Sequence, residues 1–327
     1  MKKVFGKRSA NRTGACHPGP DRHGPPLFSL CASVGLLILC TGCPPEKPVR
    51  KPYFDETESM NVVAQQINRN NAQLPSIWTK LNYTIRVADK NREIAHVVSG
   101  DGGLMFLRPD SFYLYGDKEV DRVFELGSNP AEFWLKVAPG EDTYWWGHYA
   151  NLGKPCCKPI PIRPDLVKEV LGIGLFNSNF LEQPTPVMRF NNDYDCYMFD
   201  WNVRAADRWI TVKEVWYQRV SKNPIVVLLF DENGRVLLSA KLSKHGPVAI
   251  ADKPADQQPK IAKHYDLLFT DTGSTMSLDF NDTALNHNKA PKPASFRRPE
   301  PDTKKVIQID EACNDGTDVP RTPPPAD

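Results

Sequence analysis

The chain has 327 residues, 41 Lys and Arg against 39 Asp and Glu, a net charge of +2, and 40% hydrophobic residues. That balance gives no electrostatic reason to expect a nucleic-acid partner. With the ends set aside, about 230 residues remain, enough for one sizeable core.

The N-terminal stretch carries Lys2, Lys3, Lys7, Arg8, Arg12 and Arg22, followed by an apolar run over 27–39 and then Cys40-Thr41-Gly42-Cys43. This is the three-region layout of an export signal. The run is shorter than the roughly 20 residues a membrane-spanning helix needs, and no later run reaches that length. Leu39-Cys40-Thr41-Gly42-Cys43 resembles the bacterial lipobox, in which small residues precede the cysteine that is cleaved and lipidated. The resemblance implies a signal peptide over 1–42, lipid on Cys43, and a chain held to a membrane through two or three acyl chains. Pro44 follows the cysteine where an inner-membrane retention signal would place Asp. By the same resemblance the anchor leans to the outer membrane of a bacterial envelope, with the domain in the periplasm. The proline-rich, charged stretch that follows reads as an extended tether over 43–56.

Asp55 with Glu58 forms a candidate capping box, and Met60, Val63, Ala64 and Ile67 recur at helical spacing, so one amphipathic helix opens the domain. From Leu81 the period becomes two. Strands are predicted over 81–87, 104–107, 111–115, 122–126, 132–137 and 143–148, with turns at Gly100-Asp101-Gly102-Gly103, Gly127-Ser128-Asn129-Pro130 and Pro139-Gly140. Pro164 and Asp165 start a short helix that Gly172 stops. A second set of strands follows over 194–201, 209–219, 225–230, 236–242, 263–271 and 276–280. Asn233-Gly234 between two apolar runs predicts a type I′ hairpin turn. The domain is expected over 57–285. The polar, proline-rich remainder, 286–327, is expected to be mostly disordered, with Val306-Ile307-Gln308-Ile309 as a candidate edge strand.

Several strands carry large apolar groups on both alternations, as in Phe112-Tyr113-Leu114-Tyr115, Phe133-Trp134-Leu135 and Tyr144-Trp145-Trp146. Both faces of such a sheet must be covered or must line something apolar. The expected fold is therefore α+β and mainly β, an incomplete antiparallel β-barrel closed by a few helices, with Phe106, Phe112, Leu114, Phe133, Leu135, Trp146 and Trp216 as candidate cavity lining. The order of elements over 57–285, with Leu107-Arg108-Pro109-Asp110, the 124–129 stretch leading into Phe133-Trp134-Leu135, and the return strand from Trp209 to Trp216, resembles the LolA/LolB superfamily of lipoprotein carriers. That resemblance implies an apolar half-barrel cavity accepting acyl chains, a lipid or a lipidated protein. An anchored member would be an acceptor, sensor or envelope-maintenance protein rather than a diffusing shuttle. The alternative is a structural or regulatory protein using the same fold to bind a protein partner.

Beyond Cys43, the exported chain keeps Cys156, Cys157, Cys196 and Cys313. Four cysteines in an oxidising compartment allow three pairings. A bridge between the adjacent Cys156 and Cys157 would be strained, so at least one of them is expected to reach Cys196 or Cys313; free thiols are the alternative. The spacing lacks the CxxC of a zinc site. His96, His148, His245, His264 and His287 sit in no HExxH, and there is no GxSxG. Asp193, Asp195 and Asp200 lie along one strand, but residues five apart face opposite sides. The acidic turns at 279–282 and 314–318 lack a calcium loop's terminal Glu. No catalytic constellation, cofactor or metal is expected.

Overall fold

The computed structural model describes residues 56–88, 91–138, 142–158, 160, 162–251, 253–281 and 291–314. Cys43 with its signal and tether, Asp55, the Pro139-Gly140 turn, His287, and the 315–318 part of one acidic turn lie outside the described residues.

Helix α1 (Met60–Asn71) buries Val63, Ala64 and Ile67 at the spacing that predicted it. Its N-cap is Ser59, not a capping box: the Glu58 side chain instead accepts from Gln66 Nε2 at 2.5 Å and pairs with Lys222. The first meander then runs β1 (Ser76–Ala88), β2 (Ile94–Leu107), β3 (Ser111–Lys118), β4 (Asp121–Ser128), β5 (Glu132–Val137) and β6 (Thr143–His148). Helix α2 (Pro164–Glu169) follows, then β7 (Thr185–Asn191), β8 (Cys196–Arg204), β9 (Trp209–Gln218), β10 (Pro224–Phe230) and β11 (Val236–Ser243). The two-residue strands β12 (Gly246–Pro247) and β13 (Lys260–Ile261) make a separate ribbon before β14 (His264–Phe269) and β15 (Ser274–Phe280) return. The chain closes with β16 (Lys305–Gln308) and α3 (Glu311–Asn314).

Fourteen strands form one sheet in the order β16-β6-β5-β4-β3-β2-β1-β15-β14-β11-β10-β9-β8-β7. Two meanders are thus joined where β1 pairs with β15. Every pairing is antiparallel except β16 on β6. The sheet is mainly β architecture, curved and unclosed, and helices occupy its concave side.

Three local expectations change. Gly100, Gly102 and Gly103 lie inside β2, paired with β1, rather than in a turn. A β-carbon at Gly102 would strike the Tyr115 carbonyl and one at Gly100 the Asp117 carbonyl, so the glycines allow the close approach of β3 that bends the sheet. At Asn233-Gly234 only Gly234 adopts positive φ, +77°. Asp231 organises the turn, its Oδ1 accepting from the backbone N–H of Asn233 and of Arg235 at 2.8 Å each, so the loop is wider than a two-residue I′ turn.

The third change is at the C-terminal end. Residues 291–314 form an ordered arm across the convex face of β3–β6, where a disordered tail was expected; the edge strand foreseen near 306–309 is β16. Phe296 is buried on this face, the Arg298 guanidinium lies 3.9 Å from the Trp146 ring centroid, and Tyr144 donates to Pro299 O at 3.4 Å. The arm thus covers Tyr144, which is fully buried, and Trp146 on the outer side.

The arm ends in a polar clamp. Asp310, fully buried, accepts from His148 Nδ1 (2.8 Å), His148 N (3.1 Å), Asn151 Nδ2 (2.9 Å) and Gln308 Nε2 (3.1 Å). Burial alone would raise its pKa, but the hydrogen bonds from Asn151, His148 and Gln308 outweigh burial and hold the carboxyl at about 2. Because the folded value is depressed, the clamp's contribution is complete above the ordinary carboxylate value of 3.8 and is lost as pH falls towards 2. Asp310→Asn should lower stability by about 2 kcal/mol at pH 7 and flatten the stability profile over that acid window. Urea unfolding of both proteins at a series of pH values checks it, and a parallel acid profile for the two would refute the assignment.

Candidate functional site

Cross-strand register fixes which side chains share the concave face. Phe106 opposes Phe112, Leu114 opposes Leu126, and Leu126 in turn opposes Leu135. Phe106, Phe112, Leu114, Phe133 and Leu135 are all fully buried there, at 0–3% exposure. These rings and branches fill the middle of the concavity with one another and with α1. They are packed core. Trp146 opposes Trp134, not Leu135, and so lies on the convex face under Arg298. Trp216 opposes Met198 and Val226, also outside, with its ring against Tyr194 (centroids 5.2 Å). Neither tryptophan lines the interior.

An apolar cavity does exist, at one end of the first meander. It holds about 30 Å³ and is lined by Ile85, Val87, Val98, Val123, Phe124, Leu126, Leu135, Val137, Ile162 and Met276. Of the residues expected to line a cavity, only Leu135 is among them. Five of the others are β-branched groups towards strand ends: Ile85 and Val87 near the end of β1, Val98 towards the start of β2, Val123 near the start of β4, and Val137 closing β5; Phe124, Leu126, Ile162 and Met276 complete the lining. Large rings occupy the strand middles, whereas this cavity lies where β-branched side chains meet the hairpin tips. Ile85, Val98, Val123, Val137 and Ile162 are partly buried, which puts the cavity at a mouth. On the same end, Ile94 and Val97 at the start of β2 and Val120 in the β3–β4 turn are exposed, at 47%, 58% and 94%. Ile162, just ahead of α2, closes the mouth. Lys168 of α2 pairs with Asp110 at 2.8 Å and Glu169 with Lys213 at 2.8 Å, holding the helix against both meanders.

A second concavity, about 570 Å³ and open, lies on the convex side of β7–β10 and is lined by Arg189, Asp200, Arg208, Trp209 and Glu214 among others. Asp200 meets not Asp195 but Glu214, its cross-strand neighbour, and pairs with Arg189 at 2.8 Å. Burial, with Asp200 alongside, pushes the Glu214 carboxyl up. Asp195 sits in the β7–β8 turn, bound to Arg219 at 2.8 Å. The one hydroxyl lining this cleft, Thr211, donates to Asn202 Oδ1 at 2.8 Å.

The cysteines divide by position in the sheet. Cys156 and Cys313 are joined, Sγ–Sγ 2.07 Å, stapling the loop after β6 to α3. Cys157 is a free, half-buried thiol beside them. Cys196 is free and fully buried at the start of β8, near the far end of the strand order, and cannot reach the other three; burial raises its thiol to about 11. Of the histidines, His264 bridges Asp279 (2.8 Å) and Asp266 (3.1 Å), His245 contacts Pro224 O at 2.7 Å, and His148 belongs to the arm clamp. Asp279 also pairs with Lys244 at 2.9 Å, which places it in an ion-pair network. Among the described residues no cluster of His, Cys, Asp and Glu has the arrangement to hold a metal ion, and no helix is long and apolar enough to cross a membrane.

No protein-family model matches the chain, and no curated protein matches it. Among solved structures it is similar to a LolA superfamily protein from Nitrosomonas europaea, at 10% identity and TM-score 0.44, covering 75% of this chain and 99% of that one. It is also similar to a domain named for outer membrane lipoprotein sorting from Vibrio parahaemolyticus (14% identity, TM-score 0.45, 72% and 95% covered) and to a DUF1329 family protein from Desulfovibrio piger (11%, 0.46, 73% and 95%).

Proposed function

We propose that the protein is a non-enzymatic binding module of the bacterial envelope, lipid-anchored through Cys43, that admits an apolar chain at the mouth of its half-barrel. The observation that carries this reading is the cavity lined by ten apolar side chains, placed at the open end rather than in the packed middle. Its 30 Å³ is about the share of one water molecule in the liquid, so a hydrocarbon tail enters only by parting Val87, Val98, Val137 and Ile162. Branched side chains that are already partly exposed give up little buried area in doing so. The ligand class is an acyl chain, carried by a free lipid or by a lipidated protein.

The filled interior favours a second reading, a structural or regulatory envelope protein that binds a protein partner without lipid cargo. Titration of the Cys43→Ala protein with a dansyl-labelled fatty acid separates the two. Saturable binding is expected, and Val87→Phe, which crowds the mouth without entering the core, should weaken it about tenfold, equivalent to about 1.4 kcal/mol, with the melting temperature nearly unchanged. Absence of saturable binding at micromolar probe, with one dominant protein crosslinked in cells, would favour the second reading. Mass spectrometry of the native N-terminus tests lipidation of Cys43 separately.

A further inference from the structure

Three sulfur atoms meet at the β16 edge of the sheet. Cys156 and Cys313 form the disulfide, and the free Cys157 Sγ lies 3.8 Å from Cys313 Sγ, in contact with it. The Cys157 thiol donates to Asn151 O at 2.9 Å, which holds the sulfur in place between the loop and the arm. Two adjacent cysteines therefore face one partner. Nothing else described in the fold needs the second of them: the staple is complete with Cys156, and Cys157 is not part of the main apolar core.

We propose that Cys156, Cys157 and Cys313 form an intramolecular thiol–disulfide exchange site. The Cys157 thiolate attacks Cys313 Sγ, the Cys157–Cys313 bond forms as the Cys156–Cys313 bond breaks, and Cys156 departs as a thiolate that takes up the proton Cys157 released. One disulfide and one thiol are present before and after, so no oxidant or reductant is consumed. Attack at Cys313 is the productive direction, because attack at Cys156 would join two adjacent residues in a strained ring. Cys313 stays bridged in both isomers, so the arm remains stapled while the reactive thiol alternates between neighbouring positions.

The charges around the site govern how fast exchange runs. Burial raises the Cys157 thiol, Asp310 raises it further, and Lys154 opposes both. Lys158 and Glu311 pair across the same junction at 3.9 Å, and His148 sits on the far side of Asp310. Since only the thiolate attacks, exchange is slow near neutrality and quickens as pH rises.

The test uses the full-length protein, alkylated natively with iodoacetamide at about pH 8.5, quenched in acid, digested without reduction and sequenced by tandem mass spectrometry. Label is expected on Cys157 in chains bridged 156–313 and on Cys156 in chains bridged 157–313. Cys157→Ser should abolish labelling of Cys156 entirely. Cys156→Ser should still form a bridge, now 157–313. Label confined to Cys157 in the wild type after prolonged incubation would overturn the proposal, as would a folded Cys156→Ser protein in which Cys157 and Cys313 are both alkylated. If Cys156→Ser fails to fold, the wild-type labelling pattern decides alone.

Discussion

Removing residues 291–327 should destabilise the domain by about 6 kcal/mol or more, an amount comparable to the whole stability of many domains of this kind, and the truncated chain should aggregate or unfold at moderate temperature. Phe296 and Ile309 are each 1% exposed, and burying side chains of that size contributes roughly 1.5–3 kcal/mol apiece. Loss of the arm also removes Pro299 from Tyr144, now 1% exposed, and Arg298 from the Trp146 ring. The Asp310 clamp and the Cys156–Cys313 staple go with them. A cut after residue 314 keeps every described contact of the arm and is the matched control. Phe296→Ala, which leaves the rest of the arm in place, should itself lose about 3–5 kcal/mol, the usual range for emptying a buried phenylalanine site. Urea unfolding followed by tryptophan fluorescence reads all three proteins. Normal stability in the protein lacking 291–327 would show that the convex face does not depend on the arm.

That arm explains much of what could and could not be read in advance. Strand existence was legible, because alternation over 81–87, 132–137 and 143–148 reports the pleat directly. The face of each strand was not, because Trp134 and Leu135 are both large and both buried, and parity loses its meaning when neither side is wet. Trp146 was therefore placed with Phe133 and Leu135, whereas its register partner is Trp134. What covers Tyr144 and Trp146 arrives from about 150 residues away, in a proline-rich stretch whose composition reads as disorder. Prolines at 291, 293 and 299 suit an extended strap that makes no ladder bonds until β16 and is held before it by side-chain packing and by side-chain hydrogen bonds to its carbonyls. The cavity escaped for a related reason. Aromatic strand middles suggest lining, yet most rings that large close the space around themselves, and the opening lies among Val87, Val98 and Val137 with Phe124 beside them. The strand β7 was missed because its two prolines nearby, Pro184 and Pro186, argue against a ladder; it lies at the sheet edge, where proline is tolerated.

The second large effect is expected at Arg108, where Arg108→Ala should lower stability by about 3 kcal/mol. A helix ends with carbonyls that have no partner inside it and with the negative pole of its dipole. At the end of α1 backbone N–H groups of residues 72–74 meet the carbonyls of Asn68, Asn70 and Asn71, and Arg108, from the β2–β3 corner, adds a cation and further donors at the same junction. Its Nη2 donates to Asn71 O at 2.9 Å and to Ile173 O at 2.7 Å, and its Nε donates to Leu74 O at 3.1 Å. One guanidinium thus fastens the helix, the first meander and the segment leading to the second. Asn71, 3% exposed, reinforces the same junction by donating to Gly174 O at 2.8 Å. Alanine would leave Leu74 O and Ile173 O short of a donor, and Asn71 O with the Leu74 N–H alone, at a site that solvent reaches poorly. Lysine keeps the charge near the helix terminus but cannot span three acceptors, so Arg108→Lys should recover less than half of the loss. Combined with Asn71→Ala, the two changes should fall short of additivity, because both act on one junction. Urea midpoints at unchanged slope give the energies, and amide exchange in the last turn of α1 locates them. If Arg108→Lys matched the wild type, the fork geometry would be irrelevant and the site would be acting through charge alone.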